Sequence, residues 1–369
     1  MKSKINTDGK GYGKRLRLSH EEVDSILQKR ATNLDNINNN TALDIHCENR
    51  GIDKNDIVSV KHWQSGGGEY RFSIVTKENL GLDEEQIFGK VNSFISNYSP
   101  EYKPIKRKKG SHLLVINPAD IHIGKYANEI ETNQNYNNII AVERVLEGVS
   151  GLIEKAKGFD IERVLFCVGN DVLHIDSVYN TTTKGTHQDT DGKWWEHYEI
   201  ALMLYVKCVE TLRKIAPVDV VHSMSNHDYQ SGFHLAHTLQ SWFRKAKDVT
   251  FDISVAHRKY YKYGTNLLGL EHGDGAKMVN LPLLMAQEKP LLWSKTTHRY
   301  WYLHHIHHKV KHKWLDAKDY IGVTVEYMRS PSSADSWHSR KGFTGAPLAC
   351  EGFIHSKETG QVARLTHYF

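Results

Sequence analysis

No segment of this 369-residue chain approaches the run of about 20 apolar residues that a membrane span requires. The basic opening, MKSKINTDGKGYGKRLRLSH, has no apolar stretch behind it, which argues against a secretory signal. Cysteine is scarce. Cys47, Cys167, Cys208 and Cys350 stand far apart with no CxxC pair, so thiolate-held structural zinc is not expected. Reduced thiols in a cytoplasmic protein are the simplest reading. No internal repeat or heptad is visible. What is left is an ordinary globular composition, 39% hydrophobic and 25% charged, with length for two domains or one large domain and an appendage.

Two features are in excess. The formal net charge is only +5, yet it is unevenly spread: Lys2, Lys4, Lys10, Lys14, Arg15 and Arg17 crowd the start, and KPIKRKKG occupies 103–110. Clusters of this kind can neutralise a phosphate backbone, and they also occur in solvated tails and linkers. The chain also has 23 histidines. Histidine is the commonest metal ligand, but a high count multiplies accidental pairs, so spacing has to decide.

The first hundred residues read as a small α+β domain, 1–103. LSHEEVDSILQKR (18–30) has Val23, Ile26 and Leu27 at helical spacing. NLDNINNNTALD reads as an Asn-rich loop, 56–77 as a hairpin around Gly66-Gly67-Gly68, and 82–98 as a second helix. A winged-helix DNA reader and a docking or homodimerisation module both fit that pattern. Residues 104–110 read as a basic linker.

From 111 to 369 the rhythm is strand, loop, helix. HLLVIN, RVLFCV and VDVVHSM are strand-like, and the helix over 137–158 places Ile139, Val142, Leu146, Val149 and Ile153 on one stripe. Another helix is expected over 194–217, and one over 232–247. A strand-rich half follows and ends in the pair CEGFIHS and VARLTHY, joined by KETG. The fold class is α/β, layered.

Polar residues gather where the apolar runs stop. HLLVIN is followed by Asp120 and His122, RVLFCV by Asp171 and His174, and VDVVHSM by Ser225-Asn226-His227-Asp228. NLLGLE is followed by His272 and Asp274, and RYWYL by His305 and His307. In open α/β sheets the carboxyl ends of strands are where ligands bind. Each piece alone has a plain alternative: a surface turn, a helix cap or an exposed His tract.

Taken in order, DxH, GND, NHD, HGD and HxH resemble the calcineurin-like metallophosphoesterase superfamily. The GNDVLH segment is most similar to the Mre11/SbcD-type DNA exonuclease branch and its phage-encoded relatives. The resemblance covers 120–307 and leaves 1–110 unmatched. It implies an α/β/β/α sandwich holding two divalent ions, with Mn expected and Fe, Zn or Co also compatible with a mixed O and N donor set. By the same resemblance Asp120, His122 and His307 would hold the first ion. Asn226, His272 and His305 would hold the second, and Asp171 would bridge the two. His227 would face the scissile phosphate as general acid or charge stabiliser.

Three residues depart from the family pattern: Ser225 and His304 stand where glycine is expected, and Asn170 directly precedes Asp171, with Asp176 the alternative bridge. For substrate contacts, His174, Lys184, Lys193 and Arg329 are the candidates. Trp194 and Trp195 could stack bases or simply begin a helix. The loop 329–345 adds His338, Arg340 and Lys341. DNA is the expected substrate. A phosphatase or phosphodiesterase for a small nucleotide or phosphoprotein is the alternative, and a DNA-binding protein with a degenerate site is a third reading.

Overall fold

The computed structural model describes residues 41–64, 70–76, 101–107, 109–306 and 317–369. The expected helices at 18–30 and 82–98, the Gly66-Gly67-Gly68 turn and His307 lie outside the described residues. The chain divides into two units, Met1–Tyr98 and Ser99–Phe369.

In the first unit, α1 (Thr41–Arg50) precedes an antiparallel hairpin of β1 (Ile57–Gln64) and β2 (Tyr70–Thr76). The hairpin is as expected. The TALD stretch, expected to be loop, begins α1 instead, because Leu43 and Cys47, one turn apart, are both buried.

The second unit is a four-layer sandwich. Its six-stranded sheet comprises β3 (His112–Ile116), β4 (Ile161–Gly169), β5 (Val218–Ser223), β6 (Val249–Asp252), β12 (Ala349–Ser356) and β13 (Gly360–Tyr368), in the order β13-β12-β3-β4-β5-β6. Its five-stranded sheet comprises β7 (Lys259–Tyr263), β8 (Asn266–Leu270), β9 (His298–Leu303), β10 (Ala317–Tyr320) and β11 (Val323–Tyr327), in the order β10-β11-β9-β8-β7.

Strand periodicity explains the layering. Leu114, Ile116, Val164, Phe166 and Val168 point to one side, against α2 (Asn138–Lys155), α3 (Trp194–Arg213) and α4 (Tyr229–Trp242). Their neighbours Leu113, Val115, Leu165 and Cys167 point to the other side and meet Leu268, Leu270 and Tyr302 of the second sheet. The outer face of that sheet packs Leu267, Trp301 and Val325 against Leu281 and Met285 of α5 (Leu281–Glu288). Strands buried on both faces read as unbroken apolar runs, which is how HLLVIN and RVLFCV appear in sequence. The layers are therefore α/β/β/α, as the apolar runs led one to expect.

Two expectations shift. In α2 the buried stripe is Ala141, Val145, Val149 and Leu152, while Ile139 is exposed. The helix is turned so that Gly148 meets the sheet, where a Cβ would come within 2.6 Å of Cys350 Sγ. Segment 101–107 packs on this second unit: Tyr102 stacks on Phe243, and Arg107 bonds Asp248 and the Arg213 carbonyl. All four cysteines are free and buried. Among the described residues no helix is long and apolar enough to cross a membrane.

Candidate metal centre

The loops that leave β3, β4, β5, β8 and β9 at their carboxyl ends converge. Asp120 N–H donates to Asn170 O at 2.7 Å, His122 N–H to Asp171 O at 2.9 Å, and Asn170 N–H to Ser223 O at 3.1 Å. These bonds continue the parallel pairing past the strands. At Gly169 (φ +85°) a Cβ would meet Ser223 O at 2.3 Å, so only glycine lets the ends of β4 and β5 approach this closely.

The backbone here is strained. Asp120, His122, Asn170, Asp171 and His305 all have positive φ, between 51° and 71°. Asn and Asp tolerate that region, whereas for histidine it costs on the order of 1–3 kcal/mol and persists only where the surroundings enforce it. Left-handed backbone at five residues around one point, strained at the two histidines, marks a built site.

The side chains meet in three overlapping triads. Ligand atoms of Asp120, His122 and Asp171 lie within 4.8 Å of one another, as do those of Asp171, His272 and His305, and those of His122, His174 and His227. Asp171 belongs to two triads. Asn226 joins the second, its Oδ1 lying 2.8 Å from His272 Nε2. His272 Nε2 is also 3.1 Å from Asp171 Oδ2. The main chain adds His227 N–H to Asp171 Oδ1 at 2.8 Å, and His305 N–H lies 3.2 Å from Asp120 Oδ2.

The donor set fits divalent cations. Asp120, Asp171 and His272 are buried, and His272 Nδ1 has no hydrogen-bond partner. Unsatisfied buried donors and acceptors are expensive unless a ligand completes them. Carboxylate, carboxamide and imidazole without thiolate suit Mn, Fe, Co or Zn. Electrostatics agree: burial pushes the Asp120 carboxyl up to about 7. Burial also works against ionised Asp171, but His272 and His227 beside it hold its carboxyl below the usual range. Burial opposes charging of His272 too, yet Asp171 raises it to about 9. Burial keeps His174 and His305 neutral, with lone pairs available.

The structure clarifies the departures from the family pattern. Ser225 Oγ accepts from Asp171 N–H at 2.8 Å and donates to Asp228, which also accepts from Leu173 N–H at 2.9 Å. A serine therefore braces this turn. The positive φ falls on His305 rather than His304. His304 is fully buried, with Nε2 2.9 Å from Asn117 Nδ2, so the missing glycine imposes no strain at 304. Asp176 accepts from the main-chain N–H groups of Gln230 and Ser231 at the start of α4 and stands in none of the three triads.

A cavity of about 380 Å³ opens over the centre, lined by His122, Asp171, His174, His227 and His305. Gln188, Ile306, Asp335, Trp337, His338 and Phe343 complete its lining. Of the expected substrate contacts, His174 lines it. Lys184 and Lys193 are exposed elsewhere, and Arg329 lies 3.8 Å from Glu351. Trp194 and Trp195 do not line it either. Sequence reasoning missed Gln188, Asp335, Trp337 and Phe343. The available signal was the aromatic-rich SWHSRKGF beside the noted His338.

No family model matches the sequence, and no curated protein does. Among solved structures, a double mutant of Vps29 from Entamoeba histolytica is similar at 12% identity and a TM-score of 0.27, over 70% of this chain and 99% of that one.

Proposed function

We propose that this chain is a dinuclear-metal-dependent phosphodiester hydrolase acting on DNA, of the calcineurin-like metallophosphoesterase type. The observation that carries the reading is the place of Asp171 in two ligand triads at once, the position a carboxylate bridging two ions must take. Asp120 and His122 would hold one ion, with His307 as the expected third ligand. Asn226, His272 and His305 would hold the other. Bound there, the ions would generate a nucleophile from water at neutral pH and neutralise charge on the phosphoryl oxygens. Asn226 donates through a neutral oxygen, which limits the negative charge facing an anionic substrate.

His227 supplies proton chemistry. Its Nδ1 lies 2.9 Å from His174 O, so Nδ1–H donates to that carbonyl and Nε2 remains to exchange a proton. The ring lines the cavity and sits 4.6 Å from that of His122, centroid to centroid. A general acid positioned in this way would protonate the leaving oxygen.

The basic clusters at the chain start and at 103–110 support DNA as substrate. A second reading, a phosphodiesterase for a small nucleotide, is favoured by the cavity itself: its size suits a small ligand, and among the described residues no Lys or Arg lines it. The test is the full chain with Mn, Mg or Zn against labelled single- and double-stranded DNA and a small chromogenic phosphodiester. Metal-dependent DNA cleavage supports the first reading. Turnover of the small ester with every DNA left intact removes it in favour of the second.

A further inference from the structure

One wall of the cavity, formed by the segment around Asp335, takes no part in holding a metal or moving a proton. It consists of α6 (Ser336–Arg340) and the turn after it, which present Trp337, His338 and Phe343 to the cavity. Trp337 is 51% exposed and Phe343 41%, with ring centroids 5.7 Å apart and planes tilted by 50°, so that a base stacked on one ring meets the other at an angle. Single exposed aromatics are commonplace, but two adjacent half-exposed rings lining the cavity beside the candidate metal centre form a surface with a specific use.

This wall is anchored to the metal centre. Ser330 Oγ donates to the carbonyl of Asp120 at 2.8 Å. Lys125, three residues beyond His122 and almost fully buried, places Nζ 3.3 Å from Asp335 Oδ2 and 3.1 Å from Ser332 Oγ. Arg144 donates to the carbonyl of Pro331 at 2.7 Å. Asp335 caps α6 through His338 N–H at 2.9 Å, and its Oδ1 lies 2.7 Å from His338 Nδ1. A buried lysine that lost its carboxylate would be left as an uncompensated charge, so Lys125 fixes Asp335, and Asp335 fixes the helix that bears Trp337.

Resting on the phosphodiesterase reading, we propose that Trp337 and Phe343 form a stacking platform for the nucleobase of the nucleotide whose phosphate sits at the imidazole cluster. The substrate is then a nucleotide unit recognised through the π-face of its base, which every base possesses, and the preference is for nucleotides over other phosphoesters rather than for one base. Asp335 is a positioning residue that holds the platform in register with the metal ligands.

Calorimetric titration of the Mn-loaded full chain tests this with two probes, thymidine 5′-monophosphate and 2-deoxyribose 5-phosphate, the second carrying a hydroxyl at C1′ in place of the base. The expected result is about tenfold or more tighter binding of the nucleotide, the order of one stacked base. That gap closes in Trp337→Ala and persists in Trp337→Phe, while the sugar phosphate binds all three proteins equally. Asp335→Asn narrows the gap without loss of Mn. Equal affinity of the two probes for the wild type, or a gap that survives both Trp337→Ala and Phe343→Ala, overturns the platform and leaves the phosphate site standing. Failure of both probes to bind the Mn-loaded wild type overturns the phosphate site, and the platform with it.

Discussion

At their carboxyl ends β3, β4 and β5 run into Asp120, His122, Asp171 and Asn226. At their amino ends the same strands start beside Lys106, Arg107, Lys109, Lys157 and Lys214, which border a second cavity of about 420 Å³. Both ends are polar and both are concave, yet they are built differently. At the amino ends charges meet conventional partners: Arg107 and Arg213 share Asp248, Arg163 pairs with Asp219, and Lys157 with Glu154. Among the described residues there, no non-glycine residue has positive φ. At the carboxyl ends like groups are pressed together, the buried Nδ1 of His272 lacks a hydrogen-bond partner, and five residues hold left-handed backbone. Strain and unsatisfied burial separate a working site from a merely charged surface, because stability alone would remove both.

The sharpest attempt to break this contrast is Asp171→Asn. The substitution keeps shape and removes the charge shared by two triads. We expect loss of bound metal and a fall in hydrolysis well beyond the about 100-fold that follows loss of a residue that only orients a ligand. Metal analysis by mass spectrometry and a single-turnover assay check it. Retention of two ions per chain would show that Asp171 does not bridge.

His227→Ala separates chemistry from binding. With Nδ1 tied to the His174 carbonyl, only Nε2 would remain for the proton transfer proposed above. The expected loss is about 10²- to 10⁴-fold in kcat, with metal content unchanged. Because His227 also belongs to a triad with His122 and His174, loss of metal in this variant would make it a ligand instead.

The third test uses pH. In the metal-free protein His272 is raised to about 9 and Asp120 to about 7. Both hold protons in the folded state that the unfolded chain releases, so their stabilisation is complete at low pH. That of His272 is full below its usual 6.5 and lost as pH rises through about 9. That of Asp120 is full below its usual 3.8 and lost through about 7. The metal-free Tm should therefore fall from pH 6 to 9, while bound metal, which replaces those protons, reverses the trend. Metal affinity should rise by about tenfold per pH unit for each proton displaced, up to about pH 9. A flat metal-free Tm over that range would mean that the Asp171–His272 pair does not hold its proton.

Much of this centre is legible in the sequence because each motif follows an apolar run, and strands buried on both faces end abruptly at the sheet edge. Asp120, His122, Asp171, Asn226, His272 and His305 fall where that logic puts them, and the sandwich follows from the same runs. Other features depend on contacts distant in sequence. His174 joins His122 and His227 through a fold-back that no local spacing reveals. Trp337 and Phe343 reach the cavity because Lys125 holds Asp335, a partnership across 210 positions, whereas Trp194 and Trp195, more conspicuous in sequence, lie away from it. The α2 stripe departs from its apolar pattern for a related reason: Gly148 sets the closest approach, and hydrophobicity does not register a residue without a side chain.

Ser225→Ala tests the bracing of the site at smaller scale. It removes the acceptor for Asp171 N–H and the donor to Asp228, both buried. We expect a destabilisation of about 1–3 kcal/mol in denaturant titration and a modest fall in kcat. An unchanged midpoint would show that Asp228, raised to about 7 by burial and the nearby Asp171, takes up the freed N–H itself.

The smallest effect is expected at the opposite rim. Lys106, Lys109 and Lys214 border the amino-end cavity, far along the strands from the triads. Replacing any one with alanine should leave hydrolysis of a small phosphodiester unchanged within error. If DNA is the substrate and reaches this rim, each loss lowers the dependence of log affinity on log salt by about one, without altering sequence preference. If the substrate is a small nucleotide, the salt dependence does not move either. The same three variants therefore decide how far the substrate extends beyond the cavity, and a large loss of small-ester turnover in any of them would erase the distinction between the two ends of the sheet.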